Sequence, residues 1–283
     1  MITEELIRQR VRNLPTLPTT VVALGRAVDD DRCTVDRILG ILAKDPPLSA
    51  AMLRLANSVA YAGDGQVSDL RAAVLRLGFD AVLNLGRTAS IIRNFRSSRH
   101  LDTLQLWQHS VAVALTAKAI CRLQRNRGLE ETAFLAGLLH DIGKIALDHC
   151  FSEEYAPVVD AFRAGEFLVD AEQRLLGITH AQVGALVAAN WSFPEDFVEA
   201  IKEHHAPPEG ALLPSLIHLS DLLVRTRIPN GPADESLVVV LEEVPAFHTI
   251  FQPGADFDLE RLTFSIDDEL DHAVAFVQLA FQD

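Results

Sequence analysis

The chain has 283 residues, enough for one large or two modest domains, and its composition of 49% hydrophobic, 23% charged and 6% aromatic residues is that of a soluble globular protein. The formal net charge of -14 argues against sequence-independent binding of nucleic acid and against binding to an anionic membrane, because both rely on Lys and Arg to neutralise phosphates. The N-terminus lacks the apolar stretch of a signal peptide and no apolar run approaches the ~20 residues of a membrane span, so we expect a cytoplasmic protein without nucleic-acid or membrane partners.

Residues 1 to 100 predict a lobe of short helices. Turn residues such as Pro46 and Pro47 interrupt these helices, and the apolar residues from Leu48 to Val59 follow the helical period rather than the alternation of a strand. We expect this N-terminal helical lobe to join the rest of the chain between residues 96 and 101, where the apolar pattern is interrupted.

Residues 101 to 227 predict a second unit built from longer helices. The expected helices cover residues 103–124, 130–142, 170–191 with a break near Gly177, 194–205 and 214–225. Residues 228 to 283 predict an irregular connection around one short helix near 235–243, then a terminal helix from Leu259 to Phe281. The expected fold class is therefore all-α, with a helical N-terminal lobe packed on a helical core.

The segment from Phe134 to Lys144 carries the strongest chemical signal. An apolar helix arrives at the adjacent His140 and Asp141, and Gly143 is then expected to end the helix in a left-handed turn. A His-Asp pair near a helix end can offer a neutral nitrogen and an anionic oxygen to one ion, while the second carboxylate oxygen can bridge to another. This pair is therefore a candidate metal site.

Further histidines and one aspartate recur at helical positions in the same region: His109, His180, His204, His205 and Asp221. Each of these residues alone is more often a hydrogen-bonded core or surface residue than a ligand. The occurrence of all of them in this order instead favours a shared metal site. The sequence contains no Rossmann GxGxxG and no Walker GxxxxGK[ST] motif, so neither of these nucleotide-binding devices is supported.

These residues resemble two related families. His109, His140-Asp141 and Asp221 match in order the H…HD…D signature of the HD metal-dependent phosphohydrolases, and their continuation to Lys144, with His180 and His204-His205, is similar to the HD-GYP branch that hydrolyses cyclic di-GMP. The N-terminal part instead resembles HDOD domains, in Leu14-Pro-Thr-Leu-Pro18, Lys44-Asp-Pro-Pro-Leu48, Leu53-Arg-Leu-Ala-Asn-Ser58 and the run from Val67 to Gly78. The combined resemblance covers roughly residues 10 to 225 and indicates a bacterial HDOD-type signalling protein.

The resemblance implies a ligand set for one or two divalent ions. His109, His140, Asp141 and Asp221 would hold one ion, and Asp141 as a bridge, with His180, His204 and His205, would hold the second. Imidazole together with carboxylate suits iron, manganese or zinc better than magnesium or calcium. If the protein is an enzyme, Asp141 and Lys144 would be its catalytic residues, with Lys144 over the phosphate or the nucleophilic water.

Two departures from the HD-GYP pattern bear on function. No Gly-Tyr-Pro loop follows His205, and Gln105 stands four residues before His109, where three-metal members carry a glutamate. HDOD domains as a family are regarded as non-catalytic, so the resemblance favours a regulatory module that binds a signalling partner or a small nucleotide and retains an HD-type metal site. The alternative is a metal-dependent phosphohydrolase acting on a nucleotide or phosphodiester. The motif residues could also form a structural metal site or a hydrogen-bonded polar core.

Overall fold

The structure is a computed structural model, and it describes residues 2–15, 19–28, 30, 32–57, 65–228 and 237–251 and scattered positions between 260 and 278. The described residues form helices and the connections between them, which confirms the predicted all-α class. The chain divides into two compact units, one formed by residues 15–96 and 271–283, the other by residues 1–14 and 97–270. None of the described helices combines the length and the hydropathy needed to cross a membrane.

Five helices with described bounds lie in the smaller unit: α2 Thr19–Val28, α3 Val35–Leu42, α4 Pro46–Ala56, α5 Leu70–Leu77 and α6 Phe79–Asn94. Side-chain caps explain where several of them begin. Asp45 accepts a hydrogen bond from the Leu48 amide at 3.1 Å, and Pro46 and Pro47 follow it at positions that need no amide hydrogen. Helix α6 packs against α2, α4 and α5 and so forms the centre of this unit.

The larger unit contains the remaining ten helices of the described residues. They are α1 Glu4–Val11, α7 Thr103–Leu123, α8 Glu130–Leu139, α9 Ile142–Cys150, α10 Ser152–Arg163, α11 Leu168–Leu176, α12 His180–Asn190, α13 Glu195–Lys202, α14 Leu212–Arg225 and α15 Pro245–Ile250. Helix α7 packs along α8 and α14, while α12 packs against α9 and α13. The long α7 thus lies beside α8 and α14, two of the helices that position candidate ligands.

Helix α1 lies in the larger unit, whereas the predicted N-terminal lobe began at residue 1. The amide of Ile2 donates to the Leu176 carbonyl at 3.0 Å, and the Arg10 guanidinium donates to the Cys150 carbonyl and lies over the Phe151 ring. The chain passes between the units at residues 96 and 97. An amphipathic helix shows from its pattern that one face is buried, but the pattern does not say which unit covers that face.

The predicted helix boundaries hold in part. The break near Gly177 is present, with this glycine at φ 77° between α11 and α12. The predicted helix 130–142 ends at Leu139, and a new helix begins at Ile142. The short helix expected near 235–243 lies partly outside the described residues; a 3-10 turn covers Leu241–Glu243 and α15 follows it. The terminal helix from 259 to 281 is described only at scattered helical positions.

Candidate metal centre

Seven side chains from five parts of the larger unit meet at one place. His109 comes from the second turn of α7, the pair His140-Asp141 from the junction of α8 and α9, His180 from the first position of α12, the pair His204-His205 from the segment after α13, and Asp221 from α14. Six of the seven are buried and His205 is partly buried. These are the metal-site residues that the sequence singled out, and the structure brings all of them together.

Gly143 lies where α9 packs against α12, and its structural role differs from the expected one. The expectation of a left-handed turn at this glycine was wrong: Gly143 is the second residue of α9, and its φ is not among the positive values of the described chain. A Cβ at this position would lie 1.9 Å from the carbonyl oxygen of His180 and 2.7 Å from the amide nitrogen of Gly184. Only glycine therefore allows α9 to approach α12 so closely, and this approach brings His180 to Asp141.

The first group of candidate ligands consists of His109, His140, Asp141 and Asp221. Nε2 of His109 lies 3.0 Å from Oδ1 of Asp221 and 3.9 Å from Oδ2 of Asp141, and Nε2 of His140 lies 3.4 Å from the same Asp141 oxygen. Ligand atoms of His109, His140 and Asp141 all lie within 4.8 Å of one another. This spacing is compact enough for one cation to contact the group.

The second group consists of His180, His204 and His205, whose ligand atoms also lie within 4.8 Å of one another. The Nε2 atoms of His180 and His205 are 2.9 Å apart. Oδ1 of Asp141 lies 3.2 Å from Nε2 of His180 and 3.9 Å from Nε2 of His204. One oxygen of Asp141 thus faces the first group and the other faces the second, which is the arrangement of a bridging carboxylate.

Hydrogen bonds on the far side of three rings direct them towards Asp141. Nδ1 of His140 contacts the Gly137 carbonyl at 2.7 Å, and Nδ1 of His204 contacts the Ile201 carbonyl at 2.6 Å. Nδ1 of His180 contacts Oε2 of Glu172 at 2.7 Å. When Nδ1–H of a ring donates to its acceptor on one side, Nε2 of that ring can present a lone pair on the other side.

Unsatisfied buried atoms provide a test of whether the residues fit a metal ion. Nε2 of His204, Oδ1 of Asp141 and both ring nitrogens of His109 are buried without a hydrogen bond of acceptable geometry to a described residue. Leaving such an atom unpaired costs about 1–3 kcal/mol. A cation among these atoms would satisfy three of the four, and the mixture of imidazole and carboxylate is the donor set of iron, manganese and zinc sites. The residues therefore fit the implied metal.

Burial and neighbouring charges divide the histidines into two classes. Burial, with the charges of His140 and His180, lowers the pKa of His204 to about 3, and burial beside His204 lowers the pKa of His205 well below its usual value. Burial acts in the same direction on the other rings, but Asp141 raises the pKa of His140 and Glu172 raises that of His180 to about 9. His204 and His205 are therefore neutral and ready to coordinate at neutral pH, whereas a metal ion that binds His180 would displace a proton from its ring.

Lys144 lies at the edge of the cluster. Its Nζ donates to Oδ2 of Asp141 at 2.6 Å, and the residue is 8% exposed. The exposed part lines a cavity of about 70 Å³ together with residues from the start of α7 and from α10 and α11: Asp102, Gln105, Val159, Phe162 and Leu168. Lys144 therefore lies between the candidate ligands and a small opening.

Sequence reasoning missed Glu172 and Tyr155. Glu172 is fully buried in α11; its Oε2 accepts from the amide and Nδ1 of His180, and its Oε1 accepts from the Tyr155 hydroxyl at 3.1 Å. One signal was available, because Glu172 lies four residues before Leu176 and so on the buried face of α11. A buried carboxylate needs hydrogen-bond donors, and His180, eight residues later, supplies them.

Three comparisons place the chain among known proteins. The model of the HDOD domain family matches residues 14–207, more than half of the chain, which confirms the resemblance found in the sequence. An uncharacterized protein of Treponema pallidum (strain Nichols) is 23% identical over 224 residues, which cover 77% of this chain and 44% of that relative. The chain therefore spans less than half the length of this curated relative.

Two crystal structures share the fold over nearly the whole chain. An HDOD domain protein with unknown function from Geobacter sulfurreducens has a TM-score of 0.81 at 26% identity, covering 99% of this chain and 100% of that one. A protein named "Putative phosphohydrolase" from Shewanella amazonensis SB2B has a TM-score of 0.74 at 24% identity, covering 97% of this chain and 98% of that one.

Proposed function

We propose that this chain, which belongs to the HDOD domain family, is a signal-transduction module that holds one or two divalent metal ions and acts by binding a partner protein or a small nucleotide. The observation that carries the proposal is the position of Asp141, whose two oxygens face two separate groups of histidine nitrogens at 3.2 to 3.9 Å. The buried atoms of this cluster that lack a hydrogen bond of good geometry, such as Nε2 of His204, support the proposal, because a cation would satisfy them.

The chain's own residues supply the two proposed ligand sets. His109, His140, Asp141 and Asp221 hold one ion; Asp141, His180, His204 and His205 hold the other. Bound as a pair, such ions can supply a hydroxide nucleophile and stabilise negative charge on a phosphoryl group. In a regulatory module the same residues join α7, α9, α12 and α14 to one rigid point.

The size of the opening favours regulation over turnover. Pockets that take drug-sized ligands enclose about 300–1,000 Å³. The cavity beside Lys144 measures about 70 Å³ and is lined by none of the proposed ligands, which are buried or partly buried. A cyclic dinucleotide does not fit this opening, so a nucleotide partner would bind on another surface of the protein.

The second candidate function is a metal-dependent phosphohydrolase for a small phosphate ester. One observation favours it: the Lys144 ammonium lies between Asp141 and the cavity, where it could neutralise an entering phosphate. In the regulatory reading, Lys144 balances the charge of Asp141 within the buried cluster.

Two substitutions separate these functions. Asp141→Asn removes the bridging charge with little change in shape, and we expect metal affinity to fall at least ~10-fold, since even the loss of groups behind the ligands costs ~10–100-fold. Lys144→Met keeps the aliphatic stem and should leave metal content intact, because an ammonium has no lone pair to donate. Metal content and hydrolysis of a simple phosphodiester are measured with manganese added, and Asp160→Asn, at an exposed position of α10, is the control.

The regulatory proposal expects the metal-loaded wild-type protein to show no turnover. Hydrolysis by the wild type that disappears in Lys144→Met would contradict that proposal and establish the phosphohydrolase. A wild-type protein that takes up no iron, manganese or zinc would overturn both functions.

A further inference from the structure

Resting on the metal site proposed above, we infer that Glu172 and Tyr155 are positioning residues that orient His180 as a ligand and make the second ion site depend on a carboxylate that never touches the metal. A buried chain of contacts runs from Tyr155 through Glu172 to His180. No contact of either residue with the candidate ion positions is required.

The geometry of Glu172 shows that its carboxylate serves His180. Its Oε2 accepts two hydrogen bonds from the same residue, from the amide and from Nδ1 of His180, both at 2.7 Å. Its Oε1 accepts from the Tyr155 hydroxyl at 3.1 Å. Glu172 is 0% exposed, and a buried carboxylate is stable only where donors compensate for the loss of water. All three of these donors converge on it from α10 and from the start of α12.

Glu172 determines which nitrogen of His180 faces the cluster. Oε2 already acts as an acceptor for the amide N–H of His180, so we assign the proton between this oxygen and the ring to Nδ1. Nε2 is then left to face Oδ1 of Asp141 at 3.2 Å and Nε2 of His205 at 2.9 Å. Two imidazole nitrogens this close repel unless a proton or a cation lies between or beside them. A metal ion satisfies both nitrogens at once.

The partner of His180 differs in charge from the partners of the other rings. Nδ1 of His140 and Nδ1 of His204 contact neutral backbone carbonyls, whereas Nδ1 of His180 contacts an anion. A carboxylate behind an imidazole makes it a more basic ligand than a carbonyl does. Two divalent ions bring four positive charges to a cluster with two aspartates, and Glu172 adds a third negative charge next to the second site.

Tyr155 keeps Glu172 in this orientation. The tyrosine is fully buried, and burial together with the Glu172 charge raises the pKa of Tyr155 well above its usual value. Its hydroxyl therefore remains protonated and remains a donor to Oε1 at any physiological pH. Rotation of the Glu172 carboxylate away from His180 would break this hydrogen bond.

The test is a manganese titration of the wild-type protein and the Glu172→Gln variant, followed by electron paramagnetic resonance. The amide keeps the size of the side chain and removes its charge. We expect the second manganese to bind ~10–100-fold more weakly in Glu172→Gln while the first binds as in the wild type, so that the spin-coupled pair signal gives way to the six-line signal of one isolated ion. Glu166→Gln is the matched control, because Glu166 is paired with Arg174 near the surface.

The outcomes separate this inference from the function on which it rests. A wild-type protein that binds two ions, with a Glu172→Gln variant that binds both with unchanged affinity, would overturn the positioning role and leave the metal site standing. A wild type that binds a single ion, retained in the variant, also overturns it. A wild type that binds none overturns the metal site and this inference together. If Glu172→Gln does not fold, Tyr155→Phe decides: a weaker second ion supports the role, and unchanged affinity for both ions contradicts it.

Discussion

Asp141 is the residue on which the candidate site depends most. Burial acts to raise its pKa, but His140, Lys144 and their hydrogen bonds outweigh burial and hold the pKa of this carboxyl well below its usual range. The side chain is therefore an anion throughout the neutral range. Because its two oxygens face different histidine groups, both proposed ion positions share this one charge.

A substitution at Gly143, which is not a proposed metal ligand, provides a test of how the site is positioned. In Gly143→Ala the new methyl group would lie 1.9 Å from the His180 carbonyl oxygen, a backbone atom that cannot turn away. We expect α9 and α12 to separate, the free energy of unfolding to fall by about 1–3 kcal/mol or more, and metal affinity to fall with it. Chemical denaturation and metal titration measure the two effects.

Gly128→Ala is the control for this substitution, since a Cβ at Gly128 meets no atom within 4 Å. If Gly143→Ala were as stable as Gly128→Ala and bound metal equally well, the close approach of the two helices would not be what positions His180.

The identity of the ligands could be predicted from the sequence, whereas the groups behind them could not. His109, His140, Asp141 and Asp221 stand in a recognisable order with residue types that suit a cation. Glu172 belongs to no such order, and its role depends on the turn at Gly177 that folds α11 back towards α12. Only the tertiary structure places this carboxylate behind His180.

Helix ends, rather than helix interiors, position most of the candidate ligands. His140 caps α8 and Asp141 precedes α9; His180 opens α12 behind the capping box of Thr179 and Gln182. The break at His140 was not predicted, because apolar residues at 138, 142 and 145 continue the helical period across it. The bend comes from the contacts of α9 with α12, which a local pattern does not contain.

Helix α4 in the smaller unit gives a prediction about pH. Asp45 caps this helix and accepts hydrogen bonds from Arg93 at 3.0 and 3.1 Å. Burial acts to raise the pKa of Asp45, but Arg93 and the Leu48 amide outweigh it and lower that pKa. Asp45→Asn keeps the cap and loses the ion pair, so we expect a loss of about 1 kcal/mol in the free energy of unfolding at neutral pH, limited by solvent around Arg93.

The difference between wild type and Asp45→Asn should depend on pH. A carboxyl with a lowered pKa in the folded state stabilises the protein above its unfolded pKa of about 4 and loses this contribution as pH falls through the folded value. Urea unfolding at pH 7 and at pH 3 measures the difference. Asp69→Asn, which removes the charge from the α5 cap, is the control and should cost less. A difference that stayed constant down to pH 3 would rule out the ion pair as its cause.

In the whole molecule the cluster joins residues that lie up to 112 positions apart, from His109 to Asp221. The helices that carry them all belong to the larger unit, while α2 to α6 belong to the other. A ligand present at 100 times its dissociation constant stabilises the folded state by about 2.7 kcal/mol. We therefore expect manganese to raise the melting temperature of the larger unit, and a chelator to lower it, in the wild type but not in Asp141→Asn.

The metal content of the wild-type protein, purified without chelator and measured by inductively coupled plasma mass spectrometry, tests the central claim most directly. The cluster around Asp141 predicts one to two equivalents of iron, manganese or zinc per chain, and well below one equivalent in Asp141→Asn prepared in parallel. Wild-type protein that contains none of these metals, and takes up none from a solution that offers all three, would contradict the claim and leave the histidines and aspartates as a polar core.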